Sequence, residues 1–220
     1  LAVVGDRVDL KLGFSCNNRC RFCVQGDKRF RVGDLETDEL ERRLAEARAH
    51  ADSLVFTGGE VTLRPDLARL VAHARDLGFA RIQIQTNGRV FAYRKKCEEL
   101  IAAGANEFSP ALHGHTAELH DYLTRADKSF AQTVRGIRNL KALGQPVITN
   151  SVITRSNLRH LPDLARLLIR LRVDQFQLAF VHPVGTAGTD FHRVVPRLSL
   201  AAAPVSEALD AGVAAGVRCM

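Results

Sequence analysis

Six short apolar segments of strand length alternate with six amphipathic stretches of helical period along nearly all of the chain, and this alternation is its strongest constraint. The strand-like segments are Val8–Phe14, Ser53–Thr57, Arg81–Thr86, Glu107–Leu112, Pro146–Thr154 and Asp174–Val181. The helical stretches are Thr37–His50, Pro65–Leu77, Tyr93–Ala103, Ser129–Leu143, Leu161–Leu171 and Ser199–Ala215. Gly78, Gly104, Gly144 and Gly216 follow four of them at the stop position, and Leu40, Leu44 and Ala47 share one face of the first. Strand–helix alternation implies an α/β fold with a parallel sheet and right-handed crossovers. Eight such units close a full barrel in about 250 residues, so six predict a partial (β/α)6 barrel of parallel strands, open on one side.

No low-complexity stretch or linker interrupts the pattern, and residues 1–216 read as one domain. Residues 217–220 look like the start of a further strand, so a C-terminal extension beyond Met220 is expected. The chain also begins without Met, as a processed or trimmed product would. Hydrophobic residues make up 46% and charged residues 25%, values that exclude a disordered or collagen-like chain. No apolar run approaches the roughly 18–20 residues of a membrane span, and the N-terminus lacks the apolar core of a signal peptide. A cytoplasmic protein without a membrane partner is expected. The formal charge of +7 comes from scattered arginines. It fits a solvated basic surface better than a nucleic-acid site, which it supports only weakly.

Five cysteines, an odd number without a secretion signal, argue against a disulfide framework. Cys16, Cys20 and Cys23 crowd into eight residues on the loop after the first strand, on the rim where barrels of this kind carry their active sites. Structural zinc takes four closed ligands, and no second pair at zinc spacing follows. An iron–sulfur cluster normally takes four thiolates as well, so three leave one iron open for an outside ligand. That favours chemistry over scaffolding.

The spacing Cys16-x3-Cys20-x2-Cys23, with Phe22 before the last Cys, resembles the signature of the radical S-adenosylmethionine (SAM) enzymes. Phe56-Thr57-Gly58-Gly59-Glu60 at the end of the second strand resembles the element with which that family holds the methionyl amino group. An ordinary turn accounts for Gly-Gly-Glu on its own. Its place one β/α unit after the cysteine loop points to the family. Gln85-Thr86-Asn87-Gly88, Phe108-Ser109-Pro110-Ala111-Leu112-His113, the strand through Asn150-Ser151 and Val181-His182-Pro183 match later strand-end elements. The resemblance covers about residues 8–183. It implies a [4Fe–4S] cluster on Cys16, Cys20 and Cys23, and SAM held by Phe22, Gly58, Gly59, Glu60, Thr86, Ser109, Asn150 and Val181. It also implies an external electron donor of the flavodoxin or ferredoxin kind.

The chain departs from the family where a basic residue on strand five would meet the SAM carboxylate: Ile148 stands there, and Arg64 is the expected substitute cation. His113 and His182 are the candidate substrate contacts, while His115 and His120 read as hydrogen-bonded rim residues. Lys28 and Arg29 read as a solvated loop, although they could face an anionic substrate. Cys97 reads as a small buried hydrophobe and Cys219 as no ligand. A bulky side chain at Gly59 is expected to exclude the methionyl group without disturbing the cluster. The substrate is expected to be a peptide, as for a maturase, with RNA or a nucleotide-like small molecule as the alternative. A non-catalytic iron–sulfur or zinc protein leaves the later strand-end elements unexplained.

Overall fold

The computed structural model describes residues 2–4 and 6–220. Its strands are β1 (Ala2–Val4), β2 (Arg7–Lys11), β3 (Ser53–Thr57), β4 (Arg81–Thr86), β5 (Glu107–Pro110), β6 (Ile148–Ile153), β7 (Gln175–Phe180) and β8 (Arg218–Cys219). Between them run α1 (Lys28–Arg31), α2 (Thr37–Arg48), α3 (Leu67–Asp76), α4 (Arg94–Ala103), α5 (Ala117–Thr124), α6 (Ser129–Ala142) and α7 (Leu161–Arg170). The short α8 (Thr186–Thr189) and α9 (Phe191–Val194) precede α10 (Leu198–Ala214). Strands β2 to β7 are the six expected from the alternation, all parallel to their neighbours. β1 is added antiparallel to β2, and β8 is added parallel to β7.

The strands form a five-stranded sheet, β1 to β5, and a three-stranded sheet, β6 to β8. The break has a chemical cause. Phe108 N–H donates to Pro146 O at 3.1 Å and Leu112 N–H to Asn150 O at 3.2 Å. The rung between them falls at Pro110, which has no N–H to give. The seam is held instead by those two bonds, by isolated bridges at Phe108 and Ala111, and by the Ser151 hydroxyl donating to Leu112 O at 2.6 Å.

Side-chain alternation along each strand sorts the two faces. Val8, Leu10, Ile82, Ile84, Phe108 and Phe176 are buried in the main core. Arg7, Asp9, Gln83, Gln85, Asn150 and Gln177 line the lumen. Helix stops follow the expected glycines; Gly104, at φ 124°, occupies a conformation that L side chains rarely adopt.

Helix α5 was not expected. It is only eight residues long, and its buried face is made of His120, Leu123 and Thr124 rather than an aliphatic stripe. Thr116 caps it, accepting from Leu119 N–H at 3.3 Å, and is the local signal that marks its start.

Phe108 stands edge-on to Phe91 at a centroid distance of 5.3 Å, beside the seam. Phe108→Ala is expected to cost about 3–5 kcal/mol of unfolding free energy, measured by urea titration. A loss below about 1 kcal/mol would show that the seam does not depend on this packing.

Candidate active site

The cysteine loop is gripped on four sides. Arg19 N–H and Arg21 N–H donate to Thr124 O and Leu123 O at 2.8 and 2.9 Å, so the loop docks on the C-terminal carbonyls of α5. The Arg21 guanidinium lies over Tyr122 at 4.1 Å. Thr186 N–H donates to Cys23 O at 2.9 Å, and the backbone at Gly185 comes so close that a Cβ there would stand 2.4 Å from the same oxygen. The Asp34 carboxylate accepts from Phe14 and Ser15 N–H at 2.8 and 3.1 Å, steering the chain into the loop. From β4, Asn87 donates to Asn17 Oδ1 at 2.7 Å, while Arg89 donates to Asn17 O and Asn18 Oδ1 at 2.8 and 2.9 Å.

The Gly-Gly-Glu segment completes this hold. Gly59 N–H donates to Gly13 O at 3.0 Å and Glu60 N–H to Ser15 O at 2.7 Å. A Cβ at Gly58 would meet Gly13 O at 2.6 Å. At Gly59 it would clash with Ser15 O and Phe14 O. These glycines therefore admit the chain that leads into the cysteine loop. A side chain at Gly59 is therefore expected to disturb residues 14 and 15 as well as any ligand beside it.

Glu60 is buried, and its side chain turns inward. One oxygen accepts from Thr62 N–H at 3.1 Å, Thr62 Oγ1 at 2.5 Å and Thr86 Oγ1 at 2.7 Å; the other accepts from Asn87 N–H at 2.6 Å. The carboxylate is thus committed to the chain's own donors, and it joins the ends of β3 and β4.

A cavity of about 870 Å³ opens beneath the loop, lined by Cys16, Cys20, Cys23, Gly58 and Gly59 among others. Phe22, Thr86, Ser109 and Asn150 line it too, and Asn150 Oδ1 is buried without a partner. Glu60 and Val181 are not among the lining residues. Val181 packs with Phe22, Leu123, Ala187 and Val194, while Phe180 and His182 beside it face the cavity. Arg64 is elsewhere as well: it holds Asp66 at 2.9 and 2.7 Å and Leu35 O at 2.8 Å. The expected substitute cation is therefore already paired. Arg29, read from sequence as loop, is the arginine of that segment that reaches the cavity; Lys28 stays exposed.

His113 lines the cavity, edge-on to Phe22 at 4.6 Å and stacked on His120 at 5.7 Å. Its Nδ1 accepts from Val152 N–H at 3.2 Å, so the neutral ring carries its proton on Nε2. Burial holds His113 well below its ordinary range, with His120 adding to the effect. Burial likewise holds His120 down at about 3, with Arg89 contributing.

Burial pushes the Cys16 thiol up, and burial with the neighbouring Cys16 and Cys23 pushes Cys20 up to about 12. Arg29 opposes both shifts. Cys16, Cys20 and Cys23 line one cavity from a single loop, a set of three soft donors of the kind an iron–sulfur cluster takes. Cys97 is buried with its thiol toward Phe91 O, and Cys219 lies against Leu209 O, both away from the cavity.

Two outcomes follow from this geometry. Glu60→Gln puts an amide NH2 against hydrogen-bond donors and is expected to cost about 1–3 kcal/mol of stability. Gly59→Val is expected to lower the iron bound after anaerobic reconstitution, because it displaces residues 14–15. Full iron content in Gly59→Val would return these glycines to a purely ligand-facing role. For the buried histidines, an unfolded chain takes up protons below pH about 6.5 that the folded chain refuses, so stability falls with pH through that window. Urea unfolding at pH about 5 should show a loss of about 2 kcal/mol from His120 relative to pH about 7, with His113 adding in the same direction. His120→Gln should flatten that slope, and an unchanged slope would remove His120 from the account.

The family model described as Radical SAM superfamily matches residues 10–168. An AdoMet-dependent heme synthase from Oleidesulfovibrio alaskensis is 29% identical over 175 residues, 79% of this chain and 45% of that protein. A PqqA peptide cyclase from Rhodopseudomonas palustris is 31% identical over 192 residues, 86% of this chain and 50% of that protein. The chain thus spans about half the length of these curated relatives. SuiB from Streptococcus suis has the same fold, with a TM-score of 0.81 at 17% identity over 98% of this chain and 49% of that one. SuiB has also been solved bound to its precursor peptide SuiA. The match spans the cysteine loop and the strand ends that grip it, and the chain belongs to the radical SAM superfamily.

Proposed function

We propose that this chain is the catalytic barrel of a radical SAM enzyme acting on a peptide. The observation that carries the reading is the loop of Cys16, Cys20 and Cys23, gripped by the segments after β3, β4 and β7 and by the C-terminal end of α5, and opening into a cavity of about 870 Å³. When bound, a reduced [4Fe–4S] cluster with one open iron supplies the electron that cleaves SAM to methionine and a 5′-deoxyadenosyl radical, which takes hydrogen from the substrate. The three thiols hold the cluster, and their deprotonation on binding is favoured by Arg29.

Gly58 and Gly59 would offer their backbone to SAM, with Phe22, Ser109 and Asn150 on the cavity wall around it. The unpartnered Asn150 Oδ1 is an acceptor ready for a hydroxyl. Glu60 and Thr86 act from behind, fixing the turn that bears Asn87, and Val181 supports Phe22 by packing. Arg29, which also donates to Asn18 O, is the cavity-lining arginine beside the cysteine loop and could meet an anionic group. His113, with its proton on Nε2, and His182 face the space left for substrate. The buried wall of Phe22 and His113 keeps water from a reactive carbon. An external electron donor of the flavodoxin or ferredoxin kind would supply the reducing electron.

Peptide is favoured over other substrates by the PqqA peptide cyclase relative and by the SuiB fold, solved with a precursor peptide. The radical SAM domain then takes in β8, whose Arg218 and Cys219 pair with β7.

Anaerobically reconstituted protein should release 5′-deoxyadenosine from SAM under reducing conditions. Cys16→Ala, Cys20→Ala and Cys23→Ala should each lose iron and all cleavage, while Cys97→Ala keeps both. Normal turnover in any one of the three would sink the cluster assignment. A deuterated precursor peptide encoded beside the gene should pass its label to 5′-deoxyadenosine. Failure of every neighbouring peptide, with SAM cleavage intact, would overturn the peptide reading alone.

A further inference from the structure

Outside the cavity, the loops after β5 and β6 bring a second group of ligands together. His115 stands between β5 and α5, His160 ends the 3-10 turn Leu158–His160, and Asp163 lies in the first turn of α7. One ligand atom from each falls within 4.8 Å of the other two. The rings of His115 and His160 have centroids 5.1 Å apart and are inclined at 30°.

His115 is short of partners. Its Nδ1 is buried and makes no hydrogen bond among the described residues, and its Nε2 stops 4.0 Å from Asp163 Oδ2. That gap is too long for a hydrogen bond. It is about what two ligands reach before closing on an ion, since nitrogen and oxygen each ~2.0–2.1 Å from a tetrahedral metal stand ~3.3 Å apart. The closing distance falls to His160, the exposed one of the three.

Asp163 is held for the task. Arg166 donates to its Oδ1 at 2.7 Å and to Glu207 at 2.9 Å, which orients the carboxylate and leaves Oδ2 toward the histidines. A ligand carboxylate with its second oxygen bound by a neighbour is how metal sites are commonly oriented.

We propose that His115, His160 and Asp163 form a binding site for one divalent transition-metal ion of the zinc, cobalt or nickel type, with a coordination position left to water. Two imidazoles and one carboxylate suit those ions rather than magnesium or calcium, which prefer oxygen throughout. The site is separate from the cysteine loop and independent of the reaction proposed above. Its ion would tie the β5–α5 loop to α7. That loop carries His113 on the cavity wall and leads into α5, on whose far end the cysteine loop is docked.

The test uses the anaerobically purified full chain, washed with a chelator and titrated with Ni2+ by calorimetry. One ion per chain is expected in addition to any bound by free thiols, with a rise in the thermal unfolding midpoint. His115→Ala and Asp163→Asn should each weaken that ion about tenfold or more. Asp163 is half exposed, so Asp163→Asn keeps the fold and carries the test if His115→Ala does not. Absence of an ion tighter than about 100 µM, or equal affinity in Asp163→Asn, would overturn the proposal.

Discussion

The carboxylate of Glu60 is the interaction on which the rest of the site depends. It is buried, no cation among the described residues pairs with it, and four donors from three residues converge on its two oxygens. Those donors belong to the turn after β3 and the turn after β4, so one side chain fixes two strand ends relative to each other. Its own N–H holds Ser15, and Asn87 beside it holds Asn17. A loop that must present three thiols at fixed places is thereby tied to the sheet by polar bonds within a low-dielectric interior, where each bond is strong and each omission is costly.

The second constraint is what the barrel does not contain. A closed eight-stranded barrel fills its centre with layers of bulky apolar side chains. Here the inward positions carry Gln83, Gln85, Asn150 and Gln177, and the apolar residues Ile82, Ile84 and Phe176 lie on the outer face beneath the helices. Stability is built outside the strands, and the lumen is left as a cavity of about 870 Å³. Pro110 interrupts the β5–β6 ladder next to Ser109, at the wall of that cavity, without opening it, because the bonds on either side of the missing rung remain.

Short α5 links these two arrangements. Its N-terminal side follows the loop of His113 and His115, and its C-terminal carbonyls receive the cysteine loop. Leu123 on its buried face belongs to the small cluster with Phe22 and Val181 that backs the cavity. A helix too short to be stable alone is held by the loops it positions.

The sequence by itself determined the strand order of the parallel array, the helix stops and the cysteine loop, because these rest on local periodicity and on spacing within a few residues. Ser53–Thr57 and Arg81–Thr86 match their expected bounds, and Cys16, Cys20 and Cys23 open into the cavity as the rim position implied. Only the tertiary structure decided where polar side chains spend their hydrogen bonds. Glu60 turned to Thr86 and Asn87, Arg64 was already paired with Asp66, and Val181 packed behind the wall while its neighbours faced the cavity. Asp34, which steers the chain into the cysteine loop, and His160, brought beside His115, had no signal in spacing at all. A carboxylate bonds to whichever donor the fold delivers within about 3 Å, and Thr86 lies 26 residues from Glu60 and Phe14 lies 20 residues from Asp34.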